Sequence, residues 1–212
     1  MTRIPFPPMK RGLVAILRGI KPTETEAIVD GLIAAGFTAI EIPLNSPDPF
    51  RSIELAAKRA PEGVLIGAGT VLTVDDVDRL NDVGGRLMVS PNVETQVIER
   101  ASAHGMVTMP GVFTPTEALA ACAAGASALK FFPASVLGPS GINAISAVLP
   151  KDIPVGAVGG VSNEDFAAYA KVGIRTFGLG SSLYKAGMTA DEVSRRGIEA
   201  IAAFDALAEA GL

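Results

Sequence analysis

The chain has one histidine, one cysteine and no tryptophan in 212 residues, and only 5% of it is aromatic. A single histidine, His104, leaves little from which to build a histidine triad or a zinc site. Its place in Ala103-His104-Gly105, at the end of a helical run, suits a C-terminal cap. A lone thiol cannot close an intrachain disulfide, so Cys122, inside the helical run Ala118–Ala124, reads as a packing residue in a reduced, cytoplasmic compartment. No apolar run approaches the ~20 residues needed to span a bilayer. Pro5, Pro7 and Pro8 interrupt the N-terminus where a signal peptide needs a continuous apolar helix. With 18 basic and 22 acidic residues the net charge is −4, and no lysine–arginine stripe supplies the footprint of a nucleic-acid binder. Neither nucleic acid nor membrane is expected as a partner.

What is present is aliphatic. The chain is 49% hydrophobic, and its apolar content is dominated by alanine, glycine and valine, which suits helices packed closely on a sheet more than an aromatic-rich sandwich. The length favours one large core. Short apolar runs at Leu13–Leu17, Ala39–Ile42, Val64–Ile66, Leu87–Val89, Val107–Met109, Ala128–Phe131, Val155–Ala157 and Thr176–Leu179 read as strands. Helical runs follow them near Glu24–Ala35, Pro49–Arg59, Val74–Asp82, Glu94–Ala103, Pro115–Ala124, Ile142–Val148, Asn163–Lys171 and Ala190–Leu207. Several open on a polar cap such as Thr23, Thr73, Thr114 or Ser162 and close on glycine, as at Ala35-Gly36 and Ala124-Gly125. Eight strand–helix units predict an α/β fold, a single (β/α)8 TIM barrel over 1–212 whose residues 1–12 form a proline-rich arm or short lid. A doubly wound open sheet is the alternative. No G-x-G-x-x-G follows the first strand, and Gly67-Ala68-Gly69-Thr70 is not that fingerprint, so dinucleotide binding has little support.

Two charges stand out of place. Lys130 lies in Ala128-Leu129-Lys130-Phe131-Phe132-Pro133, where burial disfavours the ammonium and leaves a lone pair able to attack a carbonyl. Glu41, in Ala39-Ile40-Glu41-Ile42-Pro43, needs a partner or a raised pKa. Together they suggest a nucleophile and a proton shuttle. The alternative is a structural ion pair, or a lysine whose head snorkels to water. In a barrel, side chains at the carboxyl ends of strands meet at one mouth. Arg18, Glu41, Thr70, Ser90-Pro91-Asn92 and Lys130 all fall there, although Thr70 and Ser90 also suit turn caps and Arg18 a surface ion pair. Gly159-Gly160-Val161-Ser162 and Gly178-Leu179-Gly180-Ser181-Ser182 follow the last two strands. They read as a phosphate cradle of backbone N–H groups in the loops where this fold often holds phosphate, or else as tight turns.

The order and spacing of Ile16-Leu17-Arg18-Gly19, Ile40-Glu41, Gly67-Ala68-Gly69-Thr70-Val71, Ser90-Pro91, Leu129-Lys130-Phe131-Phe132-Pro133-Ala134, Gly159-Gly160-Val161 and Gly180-Ser181 resemble the small class I aldolases that cleave 2-keto-3-deoxy-6-phospho sugar acids. The resemblance runs from about Leu13 to Ala186. It implies that Lys130 forms the imine and Glu41 moves protons. Arg18 would engage the carboxylate end of the substrate, Thr70 and Pro91 would also bind substrate, and Gly159, Gly160, Gly180 and Ser181 would hold phosphate. It also implies no metal and no cofactor, a small-molecule partner, and a homo-oligomer, a trimer. The gluconate branch resembles a pattern with Thr-Leu-Arg-Thr after the glutamate. Glu41-Ile42-Pro43-Leu44-Asn45-Ser46-Pro47 looks instead like the galactonate branch, so the expected reaction is cleavage of the 6-phosphogalactonate epimer to pyruvate and glyceraldehyde 3-phosphate. Cleavage of the gluconate epimer or of 4-hydroxy-2-oxoglutarate, a phosphosugar isomerase or epimerase, and a non-catalytic phosphosugar-binding protein are the alternatives.

Overall fold

The computed structural model describes residues 3–212. Nine parallel strands form one sheet in the order β5-β4-β3-β2-β1-β9-β8-β7-β6. They are β1 Gly12–Ile16, β2 Ala39–Pro43, β3 Leu65–Gly69, β4 Leu87–Val89, β5 Val107–Met109, β6 Gly111–Val112, β7 Leu129–Phe131, β8 Val155–Val158 and β9 Thr176–Leu179. The helices that return the chain are α1 Pro22–Ala35, α2 Pro49–Arg59, α3 Val74–Asp82, α4 Thr95–Ala103, α5 Pro115–Ala123, α6 Ala134–Ser146, α7 Phe166–Ala170 and α8 Ala190–Glu209. The expected parallel α/β barrel is therefore present, and the open doubly wound sheet is not.

The ninth strand arises because Pro110 divides the fifth barrel strand. Proline has no N–H to donate and cannot continue a ladder on both sides. The chain uses it to change partners: β5 pairs with β4, β6 pairs with β7, and the Pro110 carbonyl accepts from the Lys130 N–H at 2.9 Å. The seam is reinforced by Thr108 and Ser127, each of whose backbone N–H groups donates to the other's hydroxyl at 2.9 Å.

Alternation along each strand sorts the side chains. Leu13 and Ala15 of β1 and Leu17 just beyond it, Ile40 and Ile42 of β2, and Leu129 and Phe131 of β7 pack outward against the helices in the main core. Val14, Ala39, Leu87, Val89, Val107, Met109 and Ala128 point inward as a separate cluster, against which Ile4, Phe6 and Met9 of the arm pack. These residues lie mostly near the amino ends of the strands, so the arm plugs the barrel bottom and does not cover the opposite mouth. Arg3 to Asp152 (2.6 Å) and Arg11 to Asp205 (2.6 Å) fasten it. Met1 and Thr2 of the expected arm lie outside the described residues.

Helix ends differ from expectation at several places: the expected helix from Asn163 opens with a 3-10 turn, Asn163–Asp165, so that α7 starts at Phe166, and α8 runs on to Glu209. Thr23 does not cap α1; Pro22 is its first residue, preset in φ, and the Glu24 carboxylate accepts from the Lys21 N–H at 3.2 Å. α6 begins at Ala134, eight residues before the expected Ile142, and breaks at Gly138 (φ 65°, ψ 171°) ahead of Pro139. Pro133 and Gly138-Pro139 signal loop, but one short turn fits between them. Thr73 and Thr114 cap α3 and α5 as expected, each accepting an N–H three residues on at 3.1 and 3.3 Å. His104 stands at the C-cap of α4, its Nε2 2.7 Å from Asp78 Oδ1, and Cys122 packs half-buried against the core. α1 and α8 approach closely: a Cβ on Gly31 would lie 2.1 Å from Ser194 Oγ.

Candidate active site

The inward alternation of the strands continues upward past the plug. Ala39 leads to Glu41, Ala128 to Lys130, Val14 and Ile16 to Arg18, and Val89 to Pro91, so each of these residues inherits the inward phase of its strand. Around them the inward positions are glycine. Glu41 is paired with Gly67, and Lys130 has Gly111 on one side and Gly156 on the other. These glycines admit close neighbours, since a Cβ would lie 1.8 Å from the Leu87 carbonyl oxygen at Gly67, 2.5 Å from the Pro91 carbonyl at Gly111 and 2.6 Å from Met109 Cε at Gly156. A cavity of about 370 Å³ lies at the carboxyl ends of the strands. Arg18, Glu41, Thr70, Pro91, Lys130, Gly159, Gly160, Gly180 and Ser181, all nine candidate residues, line it.

Glu41 is 2% and Lys130 6% exposed. Burial pushes the Glu41 carboxyl up to about 7, against the opposing pull of the Lys130 and Arg18 charges. Burial also lowers Lys130 from the usual lysine range, with Glu41 working against this and Arg18 adding to it. Desolvation thus favours the uncharged form of both groups, a free amine and a protonated carboxyl. Glu41 Oε2 is buried with no hydrogen-bond partner, an unusual state for a buried polar atom and one suited to a group that acts on a ligand. Lys130 Nζ lies 4.9 Å from the centroid of the Phe132 ring, whose face favours whatever positive charge the nitrogen carries.

Arg18 is exposed at the rim, where Nη1 donates to Asn45 Oδ1 at 2.5 Å; beside it the Gly19 N–H donates to Ser46 Oγ at 2.9 Å. Thr70 has φ 57°, a left-handed conformation that costs a non-glycine residue of order 1 kcal/mol and tends to persist at functional sites. Its turn is held by the next residue, as the Val71 N–H donates to the Val89 carbonyl at 3.2 Å. Gly159 and Gly160 have φ of 91° and 70°, and a Cβ on Gly160 would lie 2.5 Å from Ser135 Oγ, so this turn requires glycine twice over. A Cβ on Gly180 would meet nothing within 4 Å. Ser90 belongs to the turn instead: it is buried, donates to the Asn92 carbonyl at 2.7 Å and does not line the cavity.

Phe132, Tyr184 and Lys185 also line the cavity and were not anticipated. The Leu183 and Tyr184 N–H groups both donate to the Gly180 carbonyl at 2.9 Å, and this one turn brings Tyr184 and Lys185 back to the mouth. A polar-tipped aromatic four residues after a mouth glycine was the available signal. Tyr184 Oη donates to Glu24 Oε1 at 2.9 Å, which with burial raises its phenol above the usual range. No group of three or more His, Cys, Asp or Glu among the described residues is placed to hold a metal ion.

A parallel barrel with a buried lysine and a buried carboxyl, both shifted toward their uncharged forms and facing one cavity, has the make-up of an enzyme site. The sequence pattern of the KDPG and KHG aldolases matches residues 9–201, and the chain belongs to that family. It is 72% identical over 207 residues to a probable 2-dehydro-3-deoxy-6-phosphogalactonate aldolase of Rhizobium meliloti (strain 1021), covering 98% of each chain. It is 47% identical over 195 residues to the 2-dehydro-3-deoxy-6-phosphogalactonate aldolase of Escherichia coli (strain K12), covering 92% of this chain and 95% of that one. A solved structure described as native KDPGal superposes with a TM-score of 0.93 at 46% identity, over 95% of this chain and 98% of that one.

Proposed function

We propose that the chain is a Schiff-base aldolase that cleaves 2-dehydro-3-deoxy-6-phosphogalactonate to pyruvate and glyceraldehyde 3-phosphate. The observation that carries this reading is the pairing of a buried amine with a buried carboxyl held near 7, facing one cavity. The free Lys130 amine attacks the C2 ketone, and Glu41 hands its proton to the departing oxygen as water leaves. The resulting iminium is the electron sink. Glu41, now a carboxylate, takes the proton of the C4 hydroxyl; the C3–C4 bond breaks, its electrons move to the iminium, and the aldehyde departs. Protonation of the enamine and hydrolysis release pyruvate and restore the amine. Arg18, Thr70 and Pro91 receive the C1 carboxylate end. The backbone N–H groups around Gly159, Gly160, Gly180 and Ser181 receive the phosphate, whose binding energy positions the reacting bond.

The names of the relatives support the galactonate epimer, as does the Pro43-Leu44-Asn45-Ser46 stretch after the glutamate. Borohydride reduction in the presence of pyruvate tests the mechanism. An irreversible adduct on Lys130 is expected, and its absence points to an isomerase or a binding protein. Pyruvate release from the galactonate and gluconate epimers, compared side by side, tests the substrate. Within this reading the whole chain works as one catalytic unit in the cytoplasm, as a trimer. Exposed apolar side chains on α5 and α6, Leu119 at 46% and Val136 at 71%, support assembly, and the mass in solution checks it. No helix among the described residues is long and apolar enough to cross a membrane.

A further inference from the structure

We propose that Ser182 and Arg196 are positioning residues that lock the loops after β8 and β9 into one rigid anion cradle. The inference rests on the phosphate reading above and deepens it. Ser182 Oγ, in the loop after β9, donates to the carbonyl of Val161, in the loop after β8, at 3.1 Å. Arg196 Nη1, reaching from α8, donates to the Ser182 carbonyl at 3.1 Å. The two serines of the loop therefore have opposite duties: Ser181 faces the cavity, whereas Ser182 lines an outer crevice with Ser162, Arg195 and Arg196.

The chemistry of the cradle explains why such a strut matters. Its donors are backbone N–H groups, and their aim is only as fixed as the chain that carries them. Gly178, Gly180 and Ser181 on one side and Gly159 and Gly160 on the other have little side chain to hold them. Ordering such loops at the moment of binding costs affinity that a preorganised site retains. Ser182 ties the loops to each other and Arg196 ties the pair to α8. At the far end, the Tyr184 hydroxyl donates to Glu24 at the start of α1. Neither Ser182 nor Arg196 lines the cavity, so both act through the backbone they hold.

The test measures binding of glycerol 3-phosphate and of inorganic phosphate by calorimetry, and in parallel the rate of borohydride-trapped pyruvate on Lys130, for wild type, Ser182→Ala, Ser182→Thr and Arg196→Met. Loss of one such hydrogen bond is expected to raise the dissociation constant for glycerol 3-phosphate about five- to tenfold in Ser182→Ala and Arg196→Met. Ser182→Thr, which keeps the hydroxyl, restores it, and pyruvate trapping is unchanged throughout. Unchanged phosphate binding in Ser182→Ala, equal loss of phosphate binding and pyruvate trapping, or a wild type that binds neither phosphate, each overturns the proposal. Should Ser182→Ala not fold, Arg196→Met tests the same lock from outside the loops. A wild type whose phosphate binding depends on Ser182 but which traps no pyruvate supports the lock and overturns the aldolase reading.

Discussion

A Cβ built on Gly69 would stand 1.8 Å from Glu41 Oε2 and 2.6 Å from Oε1, so the Glu41 carboxyl occupies the space that a side chain on β3 would take. The proton carrier is seated by an absence on the neighbouring strand. Gly69→Ala is expected to push the carboxyl away from the lysine while the rest of the barrel stands. A displacement of about 1 Å at a reacting group costs roughly a hundredfold in turnover. The check is kcat beside a circular dichroism melt: near-wild-type turnover with Ala in place shows that the carboxyl has room to spare.

Glu41→Gln removes the exchangeable proton and keeps the shape, and turnover is expected to fall by about two to four orders of magnitude. The same variant has a stability signature. The folded carboxyl holds its proton up to about 7, whereas the unfolded one releases it near 4.5. The contribution of this group is thus fully present below about pH 4.5 and is lost as the pH rises through about 7. Gln is neutral at every pH. Relative to wild type the variant therefore gains stability between those two values, by up to roughly 3 kcal/mol, and none further above them. Denaturant unfolding followed across that window reads the difference. Parallel curves for the two proteins show that the carboxyl is ionised in the folded state.

Glu41 and Arg18 act on Lys130 with opposite sign, the carboxylate raising its pKa and the guanidinium lowering it. The pH dependence of borohydride trapping with pyruvate separates them. Arg18→Met lets the amine keep its proton to higher pH, so the acid limb moves up. In Glu41→Gln the limb moves down. Arg18→Met is also expected to raise the pyruvate concentration needed for half-maximal trapping by about ten- to a hundredfold, the loss of a charge-assisted hydrogen bond. Limbs that shift together in the two variants show that neither charge is felt at Lys130.

Much of this arrangement was legible in the residues. The alternation of apolar runs with capped helices carries the barrel, and Lys130 and Glu41 stand out because each is charged within an apolar strand. Arg18, Thr70 and Pro91 were found with them because each follows the carboxyl end of a strand; Arg18 and Pro91 keep the inward parity, whereas Thr70 breaks it and lines the cavity from a left-handed turn. What escaped notice depends on neighbours distant in sequence. The glycines beside the pair, Gly67, Gly111 and Gly156, gain meaning only from the register that sets them next to Glu41 and Lys130. Tyr184 and Lys185 return to the mouth through a turn closed on the Gly180 carbonyl, which no apolar period announces. Pro110 reads as the end of a strand, whereas in a closing barrel it is the point where the strand changes partners.

The arm offers the clearest separation of stability from catalysis. Phe6 packs with Ile4 and Met9 against the inward residues near the amino ends of the strands, at the opposite end of the barrel from Lys130. Phe6 is half-buried, so truncation removes part of an aromatic side chain's burial, worth about 1–2 kcal/mol. Phe6→Ala is expected to unfold at lower denaturant by that amount with kcat and KM unchanged. A lid over the mouth would produce the reverse pattern, altered KM with little change in the unfolding midpoint. Steady-state cleavage and equilibrium unfolding on the same preparation therefore decide between plug and lid, because the arm cannot close both ends of one barrel.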